Sequence, residues 1–355
     1  MFNKALWLKN YKQSKFVVWG LWVVCLYFAY KLYTFIDIQE RSMQLHTNEW
    51  GSIENYSFHF HNFLEVGVFQ MIVIVLLASI LIGLERTNQS LDFTLSLPYK
   101  RQEIFFNKWL FGVTHIFSAL TVSVFISGFI LVNSKVHDYL PLSALGIYFV
   151  IALFSLIGIY SFSLLMGFIG ASIVSQFAFS ILFLFLPNGL YHLVIHAVGY
   201  HYYAITGTPF YKLFDLYNVD VIFDFLSFPI MLFDVDNFIN DVFVWKQSSP
   251  TLVLLFLIVP AVVTGLSLFF MKVLANRIKS ENNGKILAYE KLLPYLKVGV
   301  FICFYLFGGM VFGSFNYYDE LPSLLSYHLG GLGFSLIAYF ILIKLAGMRM
   351  VFGRK

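Results

Sequence analysis

The sequence predicts an all-α polytopic membrane protein with about eight transmembrane helices and both termini in the cytoplasm. Three observations carry that expectation. The 355 residues are 59% hydrophobic and only 12% charged, with a mean hydropathy of +0.77, whereas soluble domains carry about 25% charged residues. The apolar runs are continuous and long enough for the roughly 20-residue helix that crosses the hydrocarbon. They do not alternate in the ten-residue pieces of a barrel strand, and helices and closed barrels are the two ways to satisfy a backbone in lipid. Finally, the Lys and Arg residues gather at alternate ends of the runs.

Met1–Lys15 is short and basic. A helix here places Phe2, Leu6, Trp7 and Tyr11 on one side and Lys4, Lys9, Lys12 and Lys15 on the other, the pattern of an amphipathic helix lying in the inner interface on membrane lipid. Phe16–Ile36 is too long for a signal-peptide core and reads as the first span. Asp37–Asn62, polar and acidic, reads as a loop. Phe63–Leu84 is the second span. Glu85–Lys108 is a charged island, and Trp109–Val132 is the third span. Pro141 opens the fourth, Leu142–Met166, where proline is tolerated. A tight Gly-rich turn, Gly167–Ser172, leads into the fifth, from Ile173 to about Gly199, which Pro187-Asn188-Gly189 is expected to interrupt.

Tyr200–Pro250 mixes aromatics with Asp215, Asp220, Asp224, Asp234, Asp236 and Asp241. Its apolar pieces are too short to cross, which predicts interfacial or re-entrant helices in an extracellular segment. Ser248-Ser249-Pro250 is a helix start for the sixth span, Thr251–Leu274. Ala275–Lys297 is a second polar stretch. Val298–Asn316 and Tyr327–Leu345 are the seventh and eighth spans, and a basic tail follows. Residues 16–355 thus form one transmembrane domain. A six-span arrangement results if the weakest runs merge.

Charge tests the assignment. With both ends, the island and 272–297 inside, only Lys31, Arg41, Lys135, Lys212 and Lys246 of the 23 Lys and Arg lie outside, as the positive-inside rule requires. The basic residues hug span ends and form no stripe of the kind that binds nucleic acid. Cys25 and Cys303 fall in spans and suggest neither a disulfide framework nor a zinc site. His192 and His196 share a helix face near His201, while His59 and His61 are two apart. They lack the further ligands of a metal site and the glutamate of an H-E-x-x-H protease. No catalytic or metal residue is assigned. The middles of the spans hold essentially no Asp, Glu, Lys or Arg, which disfavours an ion-coupled carrier.

In the island, Leu84, Leu91 and Leu95 recur at helical spacing. Pro98 stops that helix, and Tyr99–Lys108 begins another that runs into the third span: a bent, charged elbow. Glu85, Arg86, Leu95, Leu97, Pro98, Arg101, Ile104 and Lys108 resemble the pattern of ABC-2 type permeases, the membrane subunits of ATP-binding-cassette transporters. Two departures stand out: a glycine usual after the acidic residue is absent, and Lys100 stands where a Ser or Thr cap is usual. Ala275–Lys297, with Glu281, Gly284, Lys285 and Pro294, is similar to the corresponding segment of the Gram-positive YtrC/YtrD-like permeases. It also echoes the island: Glu85, Leu91, Leu97, Pro98 and Tyr99 match Glu281, Leu287, Leu293, Pro294 and Tyr295 at one constant offset.

The resemblance implies a permease subunit of an exporter in a Gram-positive plasma membrane, itself not an enzyme. No Walker A pattern occurs, so ATP and Mg belong to a partner ABC ATPase, with a second permease, identical or related, completing the path. The coupling segments are then 85–108 and 275–297. Glu85, Arg86, Asp92, Lys100 and Arg101 supply docking charge, and Leu91, Leu95 and Pro98 set the elbow's shape. The importer E-A-A loop is missing, which fits export. The aromatic, apolar spans suggest an apolar or amphipathic cargo such as a peptide, lipid-linked compound or drug. The competing readings are a non-transporting sensor or assembly protein that binds a cytoplasmic partner, or an ion-coupled secondary transporter.

Overall fold

The computed structural model describes residues 4–50, 56, 58–61, 63–208, 217–244, 253–278, 281–314 and 324–348. Thirteen α-helices occur among them: α1 (Lys4–Trp50), α2 (Leu64–Leu81), α3 (Gly83–Thr87), α4 (Leu91–Leu95), α5 (Arg101–Val132), α6 (Leu142–Ile169), α7 (Ile173–Thr206), α8 (Tyr217–Leu226), α9 (Pro229–Phe233), α10 (Val235–Ile239), α11 (Val253–Ala275), α12 (Leu293–Ser314) and α13 (Leu324–Gly347). Eight of these, α1, α2, α5, α6, α7, α11, α12 and α13, are long and apolar enough to cross a membrane. The all-α polytopic expectation is borne out. Phe2, Lys212, Asp215, Lys246, Ser248-Ser249-Pro250 and the basic tail beyond Met348 lie outside the described residues.

The chain divides into two compact units. The first holds Met1–Ile82, Leu95–Met166 and Phe228–Ile278. There α1 packs along α5 and α2, α11 meets α5, and α9 lies on α2. Side chains fix these pairings at depth. Ser123 donates to the Cys25 carbonyl at 2.5 Å, Gln70 donates to the Tyr148 hydroxyl at 3.2 Å, and the Phe28 and Tyr148 rings stack at 3.9 Å. Lys31 and Glu65 pair at 3.0 Å.

The second unit holds Gly83–Thr94, Gly167–Ser227 and Lys279–Lys355. Here α12 and α13 form the most extensive helix pair, with α7 against α12 and both α8 and α3 against α7. Glycines explain the first contact: a Cβ at Gly308 would stand 2.6 Å from the Gly330 carbonyl, and one at Gly331 2.8 Å from the Tyr305 carbonyl. Small residues let helix backbones approach this closely.

Two boundaries depart from expectation. The sequence reading broke the first segment at residue 15 and again at 37, but α1 is one 47-residue helix. Leu6, Asn10, Ser14, Val18, Leu21 and Cys25 continue a single buried stripe across the first break. Beyond Ile36, no Gly or Pro occurs up to Trp50, and Asp37 and Arg41 pair along the helix at 2.9 Å. Charge there was read as loop, although it is equally compatible with a solvated helix. The expected interruption of the fifth span is likewise absent: α7 runs unbroken through Pro187.

Candidate functional site

The charged island falls where the chain passes from one unit to the other: residues through Thr94 belong to the second unit, and those from Leu95 belong to the first. It is not one bent helix. Two five-residue helices, α3 and α4, flank a turn at Gln89, which has a φ of 56°. A turn around Pro98 then precedes α5. The island expectation of Tyr99–Lys108 restarting a helix into the third span holds from Arg101 onward.

In the second unit the island's first half meets both the second polar stretch and the α6–α7 turn. Gly83 sits so close to α7 that a Cβ would lie 2.7 Å from the Ile173 Cα. The Thr87 hydroxyl donates to the Gly83 carbonyl at 2.9 Å and accepts the Ile173 N–H at 2.9 Å. Ser172 caps α7, its side chain exchanging hydrogen bonds with Ser175 in a capping box. The α6–α7 turn pairs in antiparallel fashion with the second stretch: Ala171 N–H donates to the Ile286 carbonyl at 3.3 Å, Gly284 N–H to the Ala171 carbonyl at 2.7 Å, and Ala288 N–H to the Ile169 carbonyl at 2.8 Å. Gly284 has a φ of 83° there, a conformation that favours glycine. Asn282 closes the loop by donating to the Ala288 carbonyl at 3.0 Å.

Arg86 ties the two polar stretches together. It is fully buried and donates from Nη1 to Asn283 Oδ1 at 3.3 Å. Its Nε and Nη2 are left without hydrogen-bond acceptors. Burial pushes its pKa down to about 10, which leaves it cationic at neutral pH. Glu85 is also buried, at 2% exposure. The expectation that Glu85 and Arg86 present charge at the surface is therefore not met. Leu91 is buried and Leu95 half-buried, while Asp92, Pro98, Lys100 and Arg101 are exposed. In the second stretch Glu281 and Pro294 are exposed, Lys285 is half-buried and bonded to Glu290, and Gly284 is buried. Sequence reasoning named both stretches but missed Asn283, Thr87 and Ala171, the residues that join them.

In the first unit, Lys100 is the cap of α5. Its backbone has the extended cap conformation, but its side chain makes no capping hydrogen bond, as expected of a group with no acceptor. Further along α5, buried Lys108 donates to the Leu81 carbonyl at the end of α2. This places a cation where the helix dipole favours one. Tyr160 fixes the same turn by donating to the Lys108 carbonyl at 2.6 Å. Beside the first turn of α5 lies a cleft of about 680 Å³, lined in part by Tyr99, Gln102, Glu103, Phe106 and Lys272.

The histidines divide. Among the described residues no group of three or more His, Cys, Asp or Glu could hold a metal ion. His201 faces not His196 but His328, with their Nε2 atoms 3.4 Å apart, and the Tyr305 hydroxyl lies 2.6 Å from His328 Nδ1.

Eight membrane-competent helices, with two polar stretches between them locked into one node, define an all-α polytopic membrane protein among the described residues. The comparisons agree. The chain is 28% identical over 246 residues to the probable ABC transporter permease YtrC of Bacillus subtilis (strain 168), spanning 69% of this chain and 68% of that protein. It is 26% identical over 286 residues to the probable ABC transporter permease YtrD of the same organism, spanning 76% of each. No family model and no solved structure matches. The similarity bears out the resemblance to ABC permeases of the YtrC/YtrD kind and, with the eight helices, supports a multi-pass permease subunit of the plasma membrane.

Proposed function

We propose that the chain is the membrane subunit of an ATP-driven exporter of the ABC-2 type, moving an apolar or amphipathic cargo with energy from a separate ATPase. The observation that carries this reading is the node: Arg86 joins the two segments that charge places on the cytoplasmic side, so that a push on either is a push on α7. The exposed residues offered to the ATPase are Pro98, Lys100 and Arg101 in the first unit and, taken separately, Asp92 and Glu281 in the second. Transport further requires that the nucleotide state change the relative energies of two permease conformations.

Co-purification with a candidate ATPase, followed by charge reversal at Lys100 and Arg101, tests the reading. The double variant Lys100→Glu, Arg101→Glu is expected to lose ATPase association while keeping its own melting temperature. Unchanged association and unchanged cargo-stimulated hydrolysis would remove the docking assignment.

A further inference from the structure

Pro187 stands within α7, where it lacks a donor and crowds the preceding turn. The next N–H, that of Asn188, donates to the Ser227 hydroxyl at 2.9 Å, and the Asn188 side-chain amide donates to Asp224 Oδ1. Helix α8 thus lies against the middle of α7. Its Asp220 and Asp224, four residues apart, share the face that meets α7. Tyr191, one turn along α7, stacks on Phe223 at 4.4 Å. Its hydroxyl is buried, sits at hydrogen-bonding reach of the Asp220 carboxylate in strained geometry, and feels Asp224 as well. His192 is within the same reach of Asp224.

The depth of this cluster follows from length alone. The 34 residues of α7 make a rod about 51 Å long at 1.5 Å per residue, and the hydrocarbon layer is about 30 Å thick. A layer of that thickness along that rod always covers the zone about 21–30 Å from either end. Asn188 lies about 22 Å from one end and about 27 Å from the other. With α7 spanning the layer, the carboxylate that Asn188 holds therefore stands at the level of the hydrocarbon. The spans themselves supply no acid there; a non-spanning helix carries it in. Neither Asp220 nor Asp224 forms an ion pair with Lys or Arg among the described residues, and an acid at such depth requires a partner.

We propose that Asp220, Asp224, Asn188 and Tyr191 form a site for the ammonium or guanidinium group of an amphipathic cargo. Carboxylates accept hydrogen bonds only, and the amide and phenol oxygens add acceptors, so the cluster suits a cation rich in N–H donors. Away from the acids, α8 exposes Ile222 and Leu226, an apolar surface for the rest of such a molecule. The assignment rests on the permease reading for its purpose, although its test needs no ATPase.

The test uses the full chain in lipid nanodiscs. Dicyclohexylcarbodiimide, which labels carboxyl groups in apolar surroundings, is expected to modify Asp224 or Asp220, as read by peptide mass spectrometry. Protonated dodecylamine should block the label, and dodecanol should not. Asp224→Asn should weaken binding of radiolabelled dodecylamine by about tenfold or more, the scale of one lost charge-assisted hydrogen bond, while Asp224→Glu should retain it at an unchanged melting temperature. If no label appears, or dodecylamine gives no protection, the site is refuted. Protection by sodium chloride alone as complete as that by dodecylamine also refutes it and assigns the acid to an inorganic cation. Failure of the parent chain to co-purify with an ATPase, with amine protection intact, overturns only the docking reading.

Discussion

Arg86 is a guanidinium buried with two donors unmet, an arrangement in which desolvation can outweigh the interactions regained. Replacement by an apolar side chain of similar length should therefore leave stability unchanged or raise it. Arg86→Met is expected to melt at or a few degrees above the parent temperature, while cargo-stimulated ATP hydrolysis in the reconstituted complex falls. A collapse in Tm would show that the arginine holds the fold and does not serve coupling. The glycines give a sharper contrast. Gly83→Ala forces a Cβ to within 2.7 Å of backbone and should cost about 1–3 kcal/mol. Gly146→Ala meets nothing within 4 Å inside a helix and should gain about 0.5–1 kcal/mol. Thermal melts of the two variants in one detergent should move in opposite directions.

At the scale of the element, the start of α5 sets two demands against each other. The Lys100 backbone is already in cap conformation but carries no acceptor, so Lys100→Ser should stabilise the helix by about 0.5–1 kcal/mol. If Lys100 also contacts an ATPase, the same change weakens association. A rise in Tm together with a fall in co-purified ATPase separates the two effects; a rise in both removes Lys100 from docking. Which elements were legible follows from the same physics. Spans announce themselves by composition, so all eight were readable. Charge at Asp37–Arg41 concealed the continuation of α1 because a solvated helix and a loop have similar compositions. Pro187 suggested a break because the sequence cannot reveal that Ser227 takes up the Asn188 N–H. The joining of the two polar stretches was unreadable for a similar reason: Asn283 and Thr87 act through partners far away in sequence, and nothing in their local spacing marks them.

For the whole molecule, eight membrane-competent helices among the described residues put the two termini on one side if all of them cross. Lys and Arg cluster at the N-terminus, in the island, in the 272–297 stretch and at the C-terminus, and the positive-inside rule predicts that side to be the cytoplasm. The short 3₁₀ turn Lys135–Asp138 between α5 and α6 then lies outside. Because both native cysteines sit within spans, single cysteines on a Cys25→Ala, Cys303→Ala background give a direct test. A membrane-impermeant maleimide applied to intact cells should label a cysteine at Asp138 and leave cysteines at Asp92 and Lys100 unlabelled until the membrane is opened. Labelling of Asp92 or Lys100 from outside would place the island on the exterior face, where no ATP-hydrolysing partner could reach it. Labelling of Asp138 only after lysis would point to the merged six-span arrangement or an inverted one. In the expected outcome, the node around Arg86 faces the cytoplasm, and Asn188, which holds Asp224, stands about 22 Å along α7 from that end, at the level of the hydrocarbon layer. Energy input and the cationic site would then share one helix at two depths.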